Sequence, residues 1–293
     1  MDSVKVPIIQ VMIYKIKTFF DLIKFEHSVF ALPFAYLGLF LAEGGLPGPT
    51  LFVWVTVAMV AIRTTAMAVN RLIDSRDDEE NPRTHARAKS IRLLTRPVIW
   101  AAVFVSVGIF MFAASRLHPI CFRLAPVPIV LVWVYPYLKK ITWLTHFCLG
   151  LILGIAPYGG WLASRGEWSW TAGLLTIAVA SWVAAFDMFY ALQDVEFDRA
   201  KGLNSFPACF GVSKTILAAR LLDGVTLLTL VYLGASLRLG FWYWAGWVIA
   251  FGLIAREHQL IARFGLAKIN EAFFNMNAWV SVAIFVGTAL ALF

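Results

Sequence analysis

Charged side chains are scarce in this sequence. Asp, Glu, Lys and Arg make up 14% of its 293 residues, and 60% of the residues are hydrophobic. A soluble globular domain contains about 25% charged and about 45–50% apolar residues. The composition therefore excludes an ordinary soluble domain and predicts an all-α polytopic membrane protein, with residues 1–293 forming a single intramembrane domain.

Cysteine and histidine are also sparse, and neither has the spacing of a metal site. Cys121, Cys148 and Cys209 fall in or beside apolar segments without a CxxC pair, and the five histidines contain no HxxxH. This excludes a disulfide framework and a zinc site, and we expect the cysteines to be buried as small hydrophobic residues. The N-terminus has no small-residue cleavage site, so we expect no removable signal peptide.

The apolar residues are grouped into long runs. Residues 8–25 instead mix apolar residues with lysines at helical spacing, which predicts an amphipathic surface helix within residues 1–27. Nine runs follow, at 28–43, 51–73, 97–115, 119–138, 142–164, 169–193, 212–236, 240–256 and 273–293. These lengths predict nine transmembrane helices around a central cavity.

The positive charges predict the orientation of these helices. With the N-terminus in the cytoplasm, nineteen Lys and Arg residues fall on the cytoplasmic side and four on the opposite side. This distribution obeys the positive-inside rule. We therefore expect an integral protein of the plasma membrane with its N-terminus in the cytoplasm.

Two groups of polar residues stand where apolar runs end. Asn70, Asp74 and Asp78 recur every four residues, so on a helix they share one face. Asp194 and Asp198 repeat this step 120 residues later. The repeat predicts two related halves that present their carboxylates to one shared site facing the cytoplasm. Carboxylate and amide oxygens suit Mg²⁺ bound to a diphosphate, so these five residues are the predicted metal ligands.

Cationic loops follow both groups, at 74–96 and 194–211, and are expected to cap the site. For most of their cations, setting the topology is the simpler explanation. Arg83 and Arg87 are predicted to bind diphosphate as parts of a lid, because arginine binds phosphate in a bidentate way. Lys201 has a similar position beside Asp198 in the second loop, and the same role is predicted for it.

Charged residues inside apolar runs are costly and therefore suggest function. Arg63 and Asp187 lie seven residues before Asn70 and Asp194, two helical turns deeper on the same faces. Tyr135 and Lys139 are one turn apart at a helix end and are expected to add a phenol and an ammonium group to the site. A snorkelling Arg63 or a topology-setting lysine are the structural alternatives.

Arg220 and Asp223 are three residues apart in a later apolar run. This is a spacing at which opposite charges on a helix meet. We expect these two side chains to pair with each other for structural reasons.

The sequence resembles a known family at these positions. NRLIDSRDD (70–78) is similar to the first aspartate-rich motif of the UbiA-type intramembrane aromatic prenyltransferases, and DMFYALQDVEFDRAKGLNSFP (187–207) to the second. FEHSVFALPFAYLG, YPYLKKITWLTHFCLGLILGIAP and INEAFFNMNAWVS also resemble segments of the quinone-pathway members. Arg71 stands where many members have an aspartate beside the asparagine, which leaves the metal-binding role on Asn70, Asp74 and Asp78.

The resemblance implies a reaction. An isoprenyl diphosphate would donate its prenyl chain to an aromatic acceptor in the presence of two Mg²⁺ ions, with the lipid tail of the donor in the bilayer. Arg63 and Lys139 would stabilise the departing diphosphate, Tyr135 would orient substrate, and Asp187 would accept the ring proton. No protein partner or nucleic acid is implied.

The acceptor and the reaction class have alternatives. 4-Hydroxybenzoate, a ubiquinone precursor, is the first choice, and a dihydroxynaphthoate of menaquinone synthesis is the second. A secondary transporter would also have intramembrane carboxylates and internal repeats, but these would cluster near the bilayer midplane. Here they stand at helix ends, which favours the enzyme.

Overall fold

The computed structural model describes residues 8–24, 28–265 and 276–293, and helices are the regular elements of these ranges. A 3₁₀ turn lies at Leu192–Asp194. The helices are α1 (Ile8–Leu22), α2 (Ser28–Glu43), α3 (Pro49–Glu80), α4 (His85–Leu94), α5 (Arg96–Ser115), α6 (Pro119–Leu124), α7 (Pro126–Leu138), α8 (Thr145–Arg165), α9 (Trp170–Ala191), α10 (Val195–Lys201), α11 (Phe206–Phe210), α12 (Val212–Ser236), α13 (Phe241–Phe264) and α14 (Asn277–Ala291).

Six helical stretches in the described ranges are long and apolar enough to cross a bilayer. They are Pro49–Glu80, Arg96–Ser115, Pro119–Leu138, Thr145–Arg165, Trp170–Lys201 and Val212–Ser236. Large apolar side chains such as Phe104 and Leu228 face outward. The protein is therefore an integral membrane protein. The nine-span count and the orientation of the N-terminus stay predictions, because α2 and α14 contain shorter apolar stretches and α13 is not among the six.

Proline and glycine determine where the helices break and how closely they pack. Pro126 begins α7 directly after Ala125, so the apolar run 119–138 forms two helices. A Cβ atom at Gly160 of α8 would lie 2.0 Å from the carbonyl oxygen of Ala35 of α2. The backbones of these two helices are therefore in contact, and glycine is required for that approach.

The two connections expected as cap loops contain helices. Helix α3 continues past its apolar run to Glu80, and α4 occupies most of the segment that follows. The second connection contains α10 and α11. The extension has a physical reason, since the residues RLIDSRDDEE include no Gly or Pro and favour a helix. The first set of carboxylates is thus held on a rigid helix.

Helix α1 lies against this cap. Leu22 and the adjacent Ile23 are buried against Ile91 and Leu94 of α4, whereas Ile9 and Ile13 are exposed. One face of α1 therefore packs on the protein and another presents apolar residues outward. This arrangement suits the amphipathic surface helix expected there, of which residues 1–7 and 25–27 lie outside the described ranges.

Candidate active site

A polar cavity of about 250 Å³ lies where the C-terminal ends of α3 and α9 meet. Its wall contains all five predicted metal ligands, which are Asn70, Asp74, Asp78, Asp194 and Asp198. Asn70, Asp74 and Asp78 lie at successive turns of α3. Asp194 lies on the 3₁₀ turn that follows α9, and Asp198 lies on α10. The fold therefore brings residues 120 positions apart into one site.

Cations from the cap and from α7 contact the first set of carboxylates. The Lys139 Nζ atom is 2.9 Å from Asp74 Oδ1. The Arg87 Nη1 atom is 3.4 Å from Asp78 Oδ1. Lys139 stands at the end of α7 beside Pro136, and Arg87 is in the first turn of α4. Two predicted diphosphate ligands thus lie beside two predicted metal ligands.

Arg83 closes the cavity from the connection between α3 and α4. Its Nε atom donates to Asp194 Oδ1 at 2.9 Å, its Nη2 atom donates to Asp194 Oδ2, and its Nη1 atom donates to the Tyr190 hydroxyl at 2.7 Å. Asn81 Nδ2 also donates to Asp194 Oδ1 at 2.9 Å. Burial alone would lower the pKa of Arg83, but the hydrogen bond and charge of Asp194, together with Tyr190, raise it. The guanidinium is therefore permanently charged.

Further contacts hold the second connection in place around the cavity. The Ser205 hydroxyl donates to Asp198, and the Asn204 backbone N–H donates to the Lys139 carbonyl at 2.6 Å. Lys201 pairs with Glu80 and is not in the cavity wall. Lys201 therefore ties α10 to the end of α3, and its predicted role in binding diphosphate remains untested.

The carboxylates of α3 have the features of a cation site. Asp78 Oδ2 is buried and no described residue donates a hydrogen bond to it. Asp77 Oδ2, by contrast, lies 3.5 Å from Lys140 Nζ and 3.8 Å from Lys139 Nζ. Buried carboxylate oxygens are normally satisfied, so Asp78 Oδ2 favours a cation. Among the described residues, no three His, Cys, Asp or Glu side chains converge into a metal shell. A metal held here would take further ligands from water or substrate, as Mg²⁺ commonly does.

Asp187 lies in the same wall and is held by a histidine that sequence reasoning missed. Its Oδ2 atom is 2.6 Å from His146 Nδ1. The Phe206 backbone N–H donates to His146 Nε2 at 3.2 Å. Because Nε2 accepts this bond, the proton of neutral His146 is on Nδ1 and is donated to Asp187. The side chain of His146 is 5% exposed, so its orientation is fixed by packing as well.

A second cavity of about 580 Å³ adjoins the polar one, and Asn70 and Tyr135 line both. Its wall is almost wholly apolar, with residues from α2, α3, α5, α7 and α8. Arg63 is the charged residue in this wall, and it is absent from the wall of the polar cavity. The two cavities together form a space that is polar at one end and apolar at the other.

Comparison with known proteins agrees with this architecture. The sequence model of the UbiA prenyltransferase family matches residues 31–280. The chain belongs to the UbiA prenyltransferase family. It is 32% identical over 256 residues to the 4-hydroxybenzoate octaprenyltransferase of Xanthomonas campestris pv. campestris (strain B100), covering 87% of this chain and 84% of that one. It is 25% identical to the enzyme of the same name from Vibrio campbellii, covering 94% and 98%. It is therefore an enzyme, a prenyltransferase.

Solved structures of UbiA homologs share the fold. The apo structure of a homolog from Aeropyrum pernix K1 has a TM-score of 0.83 at 28% identity, covering 92% of this chain and 98% of that one. A homolog from Archaeoglobus fulgidus, solved with DMAPP and Mg²⁺, has a TM-score of 0.65 at 16% identity, covering 91% and 99%. The second likeness is one of fold alone.

One expected ion pair is wrong for this prenyltransferase. Arg220 and Asp223 were expected to pair, but Asp223 Oδ2 is 2.8 Å from His258 Nε2. Asp223 is buried between α12 and α13, whereas Arg220 is exposed on the outer face of α12. The packing of α12 against α13 therefore determines the partner of Asp223, and the three-residue spacing along α12 does not.

Sequence reasoning also missed Asn81 and Tyr190 in the wall of the polar cavity. Tyr190 belongs to the second motif and occupies the position between Asp187 and Asp194, so its one-turn spacing from both was an available signal. Asn81, three residues after Asp78, offered the same kind of signal, whereas His146 had none, since it reaches Asp187 from another segment of the chain.

Proposed function

We propose that this prenyltransferase transfers a polyprenyl group from an isoprenyl diphosphate to 4-hydroxybenzoate, at the carbon ortho to the hydroxyl, with Mg²⁺ as cofactor. The observation that carries the proposal is the pair of cavities that share Asn70 and Tyr135. A charged cavity that opens into an apolar one matches a donor with a diphosphate head and a hydrocarbon tail.

The polar cavity supplies both signs of charge that a magnesium diphosphate needs. Asp74, Asp78 and Asn70 on one side, and Asp194 and Asp198 on the other, would hold Mg²⁺. The bound metal would act as a Lewis acid that stabilises the diphosphate as a leaving group. Binding of the metal to the carboxylates would free Arg83, Arg87 and Lys139 from their present partners and let them donate to phosphate oxygens.

Departure of the diphosphate breaks the bond between its oxygen and C1 of the prenyl chain, and leaves an allylic cation. Tyr135 and Tyr190 line the cavity where this charge develops, with Phe197 nearby in the same wall. Aromatic faces attract cations and exclude water, so they support the cation until the acceptor attacks.

Attack by the ring forms the new carbon–carbon bond and leaves one proton too many on the ring. Asp187 is the proposed acceptor of this proton, because it lines the wall without being a proposed metal ligand, whereas Asp77, the other such carboxylate, lies 3.5 Å from Lys140 Nζ. His146 would keep the Asp187 carboxylate oriented through its Nδ1–H. The products are the prenylated phenol and diphosphate.

The relatives support the acceptor. The Xanthomonas and Vibrio proteins are both called 4-hydroxybenzoate octaprenyltransferase. The Archaeoglobus homolog with DMAPP and Mg²⁺ supports the donor class and the cofactor. Together with the distribution of Lys and Arg, this favours an enzyme of the plasma membrane with its active site on the cytoplasmic side.

Prenyl transfer by the purified protein tests the proposal. Geranyl diphosphate and Mg²⁺ would be supplied with 4-hydroxybenzoate in one arm and with 1,4-dihydroxy-2-naphthoate in the other, and EDTA would replace Mg²⁺ in the control. We expect product from 4-hydroxybenzoate only when Mg²⁺ is present. Product from the naphthoate alone would move the enzyme to menaquinone synthesis, and product in EDTA would contradict the role of the metal.

A further inference from the structure

Helix α1 presents an apolar stripe to the outside of the protein. Its members recur at intervals of three and four residues, which places them on one face of the helix; they are Ile9, Met12, Ile13 and Ile16. Each of these side chains is at least half exposed, so the described part of the chain leaves the stripe largely uncovered. A contiguous apolar surface of this kind marks a site of interaction with a partner or a membrane.

The end of α1 lies at the level where the apolar run of α3 ends. Leu22 and Ile23 share one apolar cluster with Val69 and Leu72 of α3. The charged segment of α3 begins directly after this level. The apolar run of a spanning helix ends where the hydrocarbon core of the bilayer gives way to the headgroups. The C-terminal end of α1 is therefore fixed beside the headgroup region.

Lysines flank the apolar stripe of α1. Lys15 and Lys17 are exposed, and at 3.6 residues per turn they lie on opposite sides of the stripe. Asp21, the acidic residue of α1, lies further round the helix. Helices that lie in the headgroup region have this pattern, because lysine side chains reach past an apolar face toward the lipid phosphates. A bilayer surface with anionic headgroups matches both the apolar stripe and the positive charge.

Arg71 connects the end of α1 to the candidate active site. The last carbonyl groups of an α-helix lack partners within the helix. One of them, the carbonyl of Leu22, accepts a hydrogen bond from Arg71 Nε at 3.2 Å. Arg71 is 5% exposed and lines the polar cavity, where its charge interacts with those of Asp74 and Asp78. One buried guanidinium thus contacts both α1 and the wall that contains the proposed metal ligands.

We propose that α1 binds the anionic phospholipid headgroups of the bilayer, and that this contact holds Arg71 in its place in the wall of the active site. Movement of α1 away from the membrane would draw the Leu22 carbonyl from Arg71 and leave a buried guanidinium with fewer acceptors. Donor binding would then depend on the lipid. The lipid contact is independent of the reaction, whereas its effect on donor binding rests on the proposed function.

Hydrogen exchange measured by mass spectrometry tests the lipid contact. The full-length protein would be studied in nanodiscs of phosphatidylcholine, or of phosphatidylcholine mixed with phosphatidylglycerol. We expect the amides of α1 to exchange about 30-fold more slowly in the anionic nanodiscs, as for two lysines at an anionic surface. The double variant Lys15→Gln/Lys17→Gln should lose this difference. Lys214 is exposed at the start of α12, so Lys214→Gln provides the matched control and should equal wild type.

Donor binding in the same nanodiscs tests the connection through Arg71. Calorimetry would measure the Kd of a thiolodiphosphate analogue of geranyl diphosphate in the presence of Mg²⁺. We expect wild type to bind the analogue about fivefold more tightly in the anionic nanodiscs, and by linkage the analogue should slow the exchange of α1 there by the same factor. Arg71→Met should bind the analogue more weakly and equally in both lipids, while its α1 still exchanges more slowly in the anionic nanodiscs.

The outcomes that would overturn the inference are distinct. Equal exchange of α1 in the two lipids would overturn it, as would slower exchange that the double lysine variant retains. Protection of α1 that requires two copies of the chain in one nanodisc would assign the stripe to a second copy. Lipid-dependent exchange with the same Kd in both lipids would overturn the connection through Arg71. If the analogue binds in neither lipid, the proposed function fails, and the exchange rates still decide the lipid contact.

Discussion

Replacement of Arg83 should weaken donor binding more than replacement of any other cap arginine. Arg83 donates two hydrogen bonds to Asp194 and one to Tyr190, and 28% of its side chain is exposed. In the proposed reaction, the Arg83 guanidinium donates these hydrogen bonds to phosphate oxygens instead. A hydrogen bond to a charged group contributes about 1.5–3 kcal/mol, so Arg83→Met should lower kcat/KM for geranyl diphosphate by roughly 10- to 150-fold.

Arg83→Lys separates charge from geometry. Lysine keeps the positive charge and loses the planar fork, so we expect an intermediate loss of about tenfold. Arg92 provides the matched control in the same segment, because it pairs with Glu79 while both side chains are at least half exposed. An exposed ion pair contributes about 0–1 kcal/mol, so Arg92→Met should change kcat/KM by no more than about fivefold.

Steady-state prenyl transfer with varied geranyl diphosphate and saturating 4-hydroxybenzoate measures these effects. Detergent-solubilised variants should elute from a size-exclusion column like wild type, which excludes misfolding as the cause. The reasoning would be refuted if Arg83→Met and Arg92→Met had the same kcat/KM. An increase confined to the KM for 4-hydroxybenzoate would also refute the reasoning, because it would assign Arg83 to the binding of the acceptor.

Three further predictions concern the rest of the site. Asp74→Ala or Asp194→Ala should abolish transfer while the protein still inserts into membranes, and activity in either variant would refute the proposed metal ligands. His146→Leu should lower kcat at least tenfold and alter its pH dependence, with the KM for geranyl diphosphate unchanged, because Asp187 loses its orienting donor; an unchanged pH profile would make His146 merely structural. Gly160→Ala should lower the melting temperature, since its Cβ atom would lie 2.0 Å from a carbonyl oxygen of α2, while the neighbouring Gly159→Ala meets no atom within 4 Å and should match wild type; equal melting temperatures would contradict the close packing of α2 and α8.

Much of the fold was predictable because the membrane-spanning helices of a protein appear in its sequence as long apolar runs. The runs 28–43 and 212–236 coincide with α2 and α12, and the boundaries of most others differ by a few residues. The prediction was poorer where a helix extends beyond its apolar run or forms in a charged segment. Helix α3 continues into a charged segment that keeps helical propensity, and α4 forms in a segment expected to be a loop.

The site was predictable where its residues repeat along one helix. The four-residue step of Asn70, Asp74 and Asp78 identified one face of α3, and the same step in the second half identified its partner. His146 was not predictable in this way, because its contact with Asp187 depends on how α8 packs against α9. The place of Arg63 in the apolar cavity likewise followed from the shape of the space between helices, which no spacing along the sequence encodes.

A structure of the protein bound to Mn²⁺ and a thiolodiphosphate analogue of geranyl diphosphate would test the central claim most directly. Mn²⁺ replaces Mg²⁺ at oxygen sites and can be located by its anomalous scattering. We predict metal density in the polar cavity bound by Asp78 on one side and Asp194 on the other, with the geranyl tail passing Tyr135 into the apolar cavity. Metal density elsewhere, or a tail that lies outside the apolar cavity, would contradict the account.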